Sequence, residues 1–266
     1  MTALPRARKR FGQHFLEPAW VAKLLASLSP APGDVFLEIG PGRGALTVPL
    51  ASCVGRVIAV EIDRDLARIL REQLPSTVRV VQADFLDVDL DKLLAAEARP
   101  VRVIGNLPYN VSSPILFKLL HAAGHGQVFS DATLMLQKEV ADRVLAVRGT
   151  GDYGSLAIQV ALLADVERVL TLPPGAFRPP PKIRSAVVRM RFRPPRVDVG
   201  SVETFERLVR GIFLQRRKTL ANALKPVADS FTRSAADLIA AAGVDGTKRP
   251  EELTLDDVAR LSRAVL

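Results

Sequence analysis

The sequence predicts a doubly wound α/β domain followed by a small all-helical one, on three observations. Short, nearly continuous apolar runs at 35–39, 57–61, 78–82, 101–105 and 132–137 alternate with stretches of helical periodicity. That is the pattern of a parallel sheet buried on both faces. A glycine-rich turn, "GPGRG", follows the first run and opens a helix. From Val202 to Leu266 only helical periodicity is left. A chain of 266 residues has room for one large domain and an appendage. The proline-rich "RPPR" marks the expected boundary, giving domains 1–196 and 197–266.

The elements follow in order. "EPAWVAKLLASLS" (17–29) has Pro18 near a helix start and Val21, Leu24, Leu25 and Leu28 on one face. "VFLEI" is a strand and "ALTVPLASC" a helix; "VIAVE" is a strand and "DRDLARILREQL" (63–74) a helix. "VRVVQ" leads to a helix over "LDKLLAAEA" (90–98), and "VRVIG" to a helix within 112–123. "ATLMLQ" is followed by the helix "KEVADRVLA". After the glycine-rich loop 148–154 comes a helix, "SLAIQVALLA". A closing pair of strands, "VERVLTL" and "SAVVRMRF", flanks "PPGAFRPPPK". Four helices complete the chain: "VETFERLVRGIFLQ", "KTLANALK", "SAADLIAAAG" and "TLDDVARLSRAVL".

Composition narrows the function classes. The single cysteine, Cys53, excludes an intramolecular disulfide and a cysteine-based metal site. The histidines, His14, His121 and His125, lack metal-ligand spacing, so no metal is expected. No apolar run approaches transmembrane length, and "MTALPRARKR" has no following apolar region. A soluble cytoplasmic protein without a membrane partner is expected. Net charge is +9, and its placement is informative. Stretches 6–16, 177–196 and 207–225 contain no acid and hold 17 of the 37 basic residues. The rest of the chain has 20 basic against 28 acidic residues. Charge concentrated in this way is the footprint of a polyanion partner.

Candidate ligand-binding residues fall at successive strand ends, where α/β sheets bind ligands. Gly40 and Gly42 let the backbone approach a ligand closely. With Ala45 they also fit G-x-G-x-x-A, so a dinucleotide-dependent dehydrogenase stays open at this point. Glu61, with Ile62 beside it, ends the second strand, where a carboxylate can accept ribose hydroxyls. Asp84 and Phe85 end the third, and Asn106, Leu107, Pro108 and Tyr109 end the fourth.

Two of these motifs carry resemblances. Glu38 completes E-x-G-x-G-x-G, which resembles motif I of S-adenosylmethionine-dependent methyltransferases. "NLPY" resembles the active-site tetrad of N6-adenine methyltransferases. In that reading Asp84 accepts the cofactor's adenine amino group and Phe85 packs on its ring. The blocks "RKRFGQHFL", "NLPYNVSSPIL", "MLQKEVADR", "AFRPPPKIRSAVV" and "IFLQRRKTLANAL" are similar, in order, to those of the small-subunit (16S) rRNA adenine N6,N6-dimethyltransferase family. The resemblance implies a Rossmann-like class I methyltransferase domain, a helical rRNA-binding domain and S-adenosyl-L-methionine as cofactor. It implies small-subunit rRNA in a precursor subunit as substrate, and a monomeric enzyme. It makes Asn106, Leu107, Pro108, Tyr109 and Phe177 catalytic, with Tyr109 and Phe177 stacking on the base. It places His14 and Leu16 over the cofactor, with Asn106 also at that site. It assigns RNA contacts to Arg178, Lys182, Arg184, Arg216, Arg217 and Lys218. His14 departs from the family's "FGQNFL", which puts the side-chain contact there in question. A 23S-type rRNA adenine methyltransferase and a non-catalytic ribosome-assembly factor are the nearest rivals.

Overall fold

Apolar runs buried on two faces need a sheet with covered faces, and the computed structural model has one. It describes residues 14–126 and 128–266; the motif residues 8–13 and most of the first basic stretch lie outside them. The strands are β1 (Phe15–Leu16), β2 (Val35–Ile39), β3 (Arg56–Glu61), β4 (Val78–Gln82), β5 (Val101–Asn106), β6 (Phe129–Gln137), β7 (Ala164–Leu172), β8 (Phe177–Arg178) and β9 (Ser185–Phe192). Seven form one sheet in the order β4-β3-β2-β5-β6-β9-β7. Neighbours from β4 to β6 are parallel, and β9 runs antiparallel to β6. All five residues of β2 are buried, as a central strand covered on both faces requires.

The strand order reverses at β2, with β3 on one side and β5 on the other. Such a switch point leaves a crevice at the carboxyl ends of the strands. The opposite ends are tied together by Arg102, which pairs with Asp34 at 2.8 Å and Asp131 at 3.0 Å and donates to Leu28 O at 2.9 Å.

The helices that follow β1 to β6 in turn are α1 (Pro18–Leu28), α2 (Thr47–Ala51), α3 (Arg64–Gln73), α4 (Leu90–Leu93), α5 (Ser112–Gly124) and α6 (Lys138–Val144). Asp63 caps α3 by accepting from Asp65 N, and the helix buries Leu66, Ala67, Ile69 and Leu70. Helix α4 stops at Leu93 although the sequence suggested 98. Leu90, Leu93 and Leu94 are buried, whereas Ala95 and Ala96 are exposed, so nothing anchors a further turn. The strand pair β1–β8 is antiparallel, with Leu16 opposite Phe177.

Two compact units emerge. One holds the sheet, with residues 14–122, 128–141 and Val166–Phe192. The other takes Ala123–Gly126, Asp142–Asp165 and Arg193–Leu266. The second contains α7 (Ser155–Leu163), α8 (Val202–Phe213), α9 (Leu220–Ala228), α10 (Ala235–Ala242) and α11 (Leu255–Val265). It reaches further back than the expected boundary at 196 because of α7. That helix is apolar nearly all round and packs against α8 and α11. Tyr153 sets its entry, donating to Leu253 O at 3.2 Å and meeting the Phe213 ring edge-on at 6.3 Å. Ser201, Ser234 and Thr254 cap α8, α10 and α11.

Candidate active site

At the switch point a cleft opens with about 680 Å³ of empty space, part of it open to solvent. Of the expected residues, His14, Leu16, Gly40, Gly42, Glu61, Ile62, Asn106 and Pro108 line it. Glu38, which the sequence offered only as part of a motif, and Met135, which it did not single out, line it too.

The floor is built by the turn after β2. Gly40 and Gly42 adopt left-handed φ of 69° and 60°, and a Cβ on Gly42 would meet the Phe15 ring at 3.1 Å. Freed in this way, the Gly42 N–H donates to Glu61 Oε2 at 2.9 Å, while Asp63 N donates to Oε1 at 2.8 Å. Burial pushes the Glu61 pKa up and these two N–H groups pull it back. A carboxylate oxygen has two lone-pair sites, so both oxygens retain acceptor capacity toward a ligand.

Glu38 is 2 % exposed inside an otherwise apolar strand, and among the described residues its Oε2 has no hydrogen-bond partner. Burial raises its pKa to about 7; the Thr47 hydroxyl opposes this and the nearby Glu61 adds to it. The signal was visible as a lone acid in "VFLEI", but strand patterning alone did not say which way it faced.

The tetrad leaves β5 beside the cleft. Asn106 Nδ2 donates to His14 O at 2.6 Å. A carbonyl can be met only by the amide's N–H, so this bond fixes the flip and turns Oδ1 the other way. Leu107 is buried, and its N–H donates to Met135 O at 3.2 Å. The Tyr109 hydroxyl lies 2.9 Å from Ser185 Oγ, and burial pushes its pKa up. The His14 ring is stacked with Tyr109, and its Nδ1 is 2.7 Å from Pro179 O.

Three expected residues sit differently. Phe177 is 1 % exposed and packs in the core with Leu16, Ile104 and Met135. Its strand pairs with β1, with Leu16 opposite it in register, and the ring is covered in this structure. Phe85 is likewise buried, with Lys118 Nζ 5.5 Å from its ring centroid. Asp84 is half-buried and outside the cleft lining; it accepts from Leu86 N at 2.9 Å. The adjoining Ala83 N donates to Glu61 O at 3.0 Å, which keeps the Asp84 turn beside the cleft residue Glu61.

A family model described as ribosomal RNA adenine dimethylase matches residues 5–264. The chain belongs to that family. It is 46 % identical to the "Ribosomal RNA small subunit methyltransferase A" of Nitrosococcus oceani, over 97 % of this chain and 96 % of the relative. Its fold is similar to that of a dimethyladenosine transferase from Plasmodium falciparum (TM-score 0.73, 26 % identity, 93 % of this chain and 96 % of that one). It is also similar to the 23S rRNA methyltransferase ErmE (TM-score 0.64, 28 % identity, 94 % and 99 %). The dehydrogenase alternative ends with these findings, and the fold is the class I methyltransferase one.

The basic stretches look different in space. Arg189 and Arg191 pair with Glu167 at 3.4 and 2.6 Å, and Arg193 and Arg196 pair with Asp165 at 3.3 and 2.8 Å. Arg178 pairs with Glu17 at 2.8 Å. In the helical unit, Arg216 donates to Gly151 O at 3.0 Å and pairs with Glu251 at 3.3 Å. Lys182, Arg184, Arg217 and Lys218 are exposed, and among the described residues none of the four forms an ion pair. No helix among the described residues is long and apolar enough to cross a membrane.

Proposed function

We propose that the protein transfers methyl groups from S-adenosylmethionine to N6 of two adjacent adenines near the 3′ end of small-subunit rRNA. The product is N6,N6-dimethyladenosine, made on a precursor subunit during ribosome biogenesis by a monomeric cytoplasmic enzyme. The observation that carries this reading is Asn106, which both lines the cleft and begins the tetrad.

The cleft suits the cofactor. Two buried carboxylates, Glu38 with its unpartnered oxygen and Glu61, favour a ligand carrying positive charge. Gly40 and Gly42 bring backbone close to it, Glu61 accepts ribose hydroxyls, and Ile62 packs beside the sugar. Asp84 receives the adenine amino group, and Phe85 packs on the ring. His14 and Leu16 cover the site. The cofactor supplies a methyl group already activated on a sulfonium, so the remaining work falls on the acceptor.

The adenine N6 lone pair is delocalised into the ring and poorly aimed. Asn106 Oδ1 and the Leu107 carbonyl accept from the two N6 hydrogens and turn the lone pair toward the methyl group. Pro108 fixes the backbone that carries both acceptors. Tyr109, held by Ser185, presents its ring to the extruded base. A neutral amide accepts without placing another charge beside the cationic donor. The proton lost from N6 leaves to solvent. Alignment of nucleophile and methyl group supplies the rest of the rate. Lys182, Arg184, Arg217 and Lys218 contact rRNA phosphates, with Arg178 and Arg216 joining once their acidic partners give way.

The test is incubation with labelled S-adenosylmethionine and undermethylated small subunits, followed by mapping of the modified bases. Two adjacent dimethyladenosines near the 3′ end are expected. Label in large-subunit rRNA would favour the 23S-type activity, and no label at all would favour a binding-only assembly factor.

A further inference from the structure

Helix α5 starts three residues after Tyr109, and one of its side chains reaches back to the loop after β4. Lys118 Nζ donates to Phe85 O at 2.9 Å, Leu86 O at 2.8 Å and Val88 O at 2.5 Å. An ammonium has three N–H donors and no acceptor, so each donor has its own carbonyl. The carbonyls converge because the loop is a double turn. Asp87 N donates to Asp84 O at 3.0 Å, Val88 N donates to Phe85 O at 3.3 Å, and Leu86 N is taken by the Asp84 carboxylate. With the N–H groups engaged inside the loop, its carbonyls concentrate partial negative charge on the other side. A single cation neutralises that charge. Burial lowers the Lys118 pKa, while the charges of Asp87, Asp84 and Asp89 hold the ammonium form. A lysine committed to three carbonyls is not free for phosphate or for proton transfer.

We propose that Lys118 is a positioning residue for cofactor recognition: by gathering the carbonyls of residues 85, 86 and 88 it holds the turn that aims Asp84, without touching the cofactor itself. The inference rests on the reading of Asp84 as acceptor of the adenine amino group.

A pair of ligands separates the two ideas. S-Adenosylhomocysteine carries the adenine amino group, and S-inosylhomocysteine has an oxo group there. Calorimetry with both is run on wild type, Asp84→Ala and Lys118→Met. Wild type is expected to prefer the adenosyl ligand, and Asp84→Ala to lose that preference. Lys118→Met is expected to bind the adenosyl ligand about tenfold more weakly, with little change toward the inosyl one. General loosening of the fold would weaken both ligands alike, and that result overturns the inference. A preference lost in Asp84→Ala but kept in Lys118→Met also overturns it, leaving Asp84 in place. A preference that survives Asp84→Ala overturns the Asp84 reading and the inference together. If Lys118→Met does not fold, Lys118→Gln, which keeps two N–H donors without the charge, is measured instead: a smaller loss confined to the adenosyl ligand is expected, and equal loss toward both ligands, or no loss, overturns the inference.

Discussion

The Asn106 side-chain amide donates to the backbone carbonyl of His14 at 2.6 Å, joining the end of β5 to the segment that covers the cleft. One side chain therefore has two ends with two tasks: Nδ2 closes the cleft and Oδ1 is left for the substrate. Asn106→Ala is expected to lower the methylation rate constant about a hundredfold or more, as removal of one preorganised polar group costs roughly 2.7–4 kcal/mol. It should also weaken cofactor binding by about 1 kcal/mol, the worth of an ordinary hydrogen bond. Asn106→Asp separates the two ends. Its carboxylate can still accept from N6 but faces the His14 carbonyl as a second acceptor. It should therefore bind S-adenosylhomocysteine, which lacks the sulfonium charge, less tightly than Asn106→Ala does, as read by calorimetry. Equal cofactor affinities in all three proteins would show that the bond to His14 does no work.

Phe177 is expected to act on stability first. Its ring is 1 % exposed among Leu16, Ile104 and Met135, so Phe177→Ala leaves a cavity in the core. A loss of about 3–5 kcal/mol in urea denaturation follows from large-to-small core changes. A variant as stable as wild type but defective in base capture would restore the stacking role that the sequence suggested.

The contrast between Phe177 and Asn106 shows what a sequence carries. Asn106 was legible because its motif reports a strand end, and the sheet topology then fixes where strand ends meet. The run of strands from Val35 to Gln137 was legible for the same reason: residues buried on both faces leave a continuous apolar signature. The burial of Phe177 was not, because two-residue strands such as β1 and β8 have no periodicity to report which side chains are covered. Lys118 was hidden among helix residues, where a lysine reads as a solvated charge. The stretch 177–196 is free of acids in sequence and yet meets Asp165 and Glu167 in space, since charge balance follows strand pairing and not chain order.

Glu38 gives a pH signature. Its folded-state pKa is about 7 against 4.5 when unperturbed. Between those values the folded protein holds a proton that the unfolded chain releases. Stability therefore falls as pH rises from about 4.5 to about 7 and stays lowered above that. Glu38→Gln removes the titration. The variant is expected to gain on wild type as pH rises, by on the order of 3 kcal/mol across the window. Urea denaturation of both proteins at pH values below, within and above the window reads the difference directly. A stability difference that is flat across the series would mean that Glu38 titrates alike in the folded and unfolded states, with no upward shift.

The exposed cations of the turn after α8 give the last prediction. Arg217 and Lys218 are exposed, whereas Arg191, although 56 % exposed, lies 2.6 Å from Glu167. If phosphates are tracked by cations without a protein partner, the two groups should respond differently to substitution. Arg217→Glu with Lys218→Glu should weaken binding to the small subunit and flatten its log–log salt dependence by about 0.7–0.9 for each phosphate that is no longer neutralised. Arg191→Gln should leave that slope nearly unchanged, because the arginine's charge is already balanced by Glu167. Cofactor affinity should be the same in all three proteins, since every residue lining the cleft belongs to the sheet unit and none is altered. The double variant should fold, as its two residues are exposed and bury no apolar surface. Filter binding across a salt series supplies the slopes. Parallel lines for wild type and the double variant would make the turn a solvated surface, and a slope that drops instead for Arg191→Gln would place the phosphate track along β9.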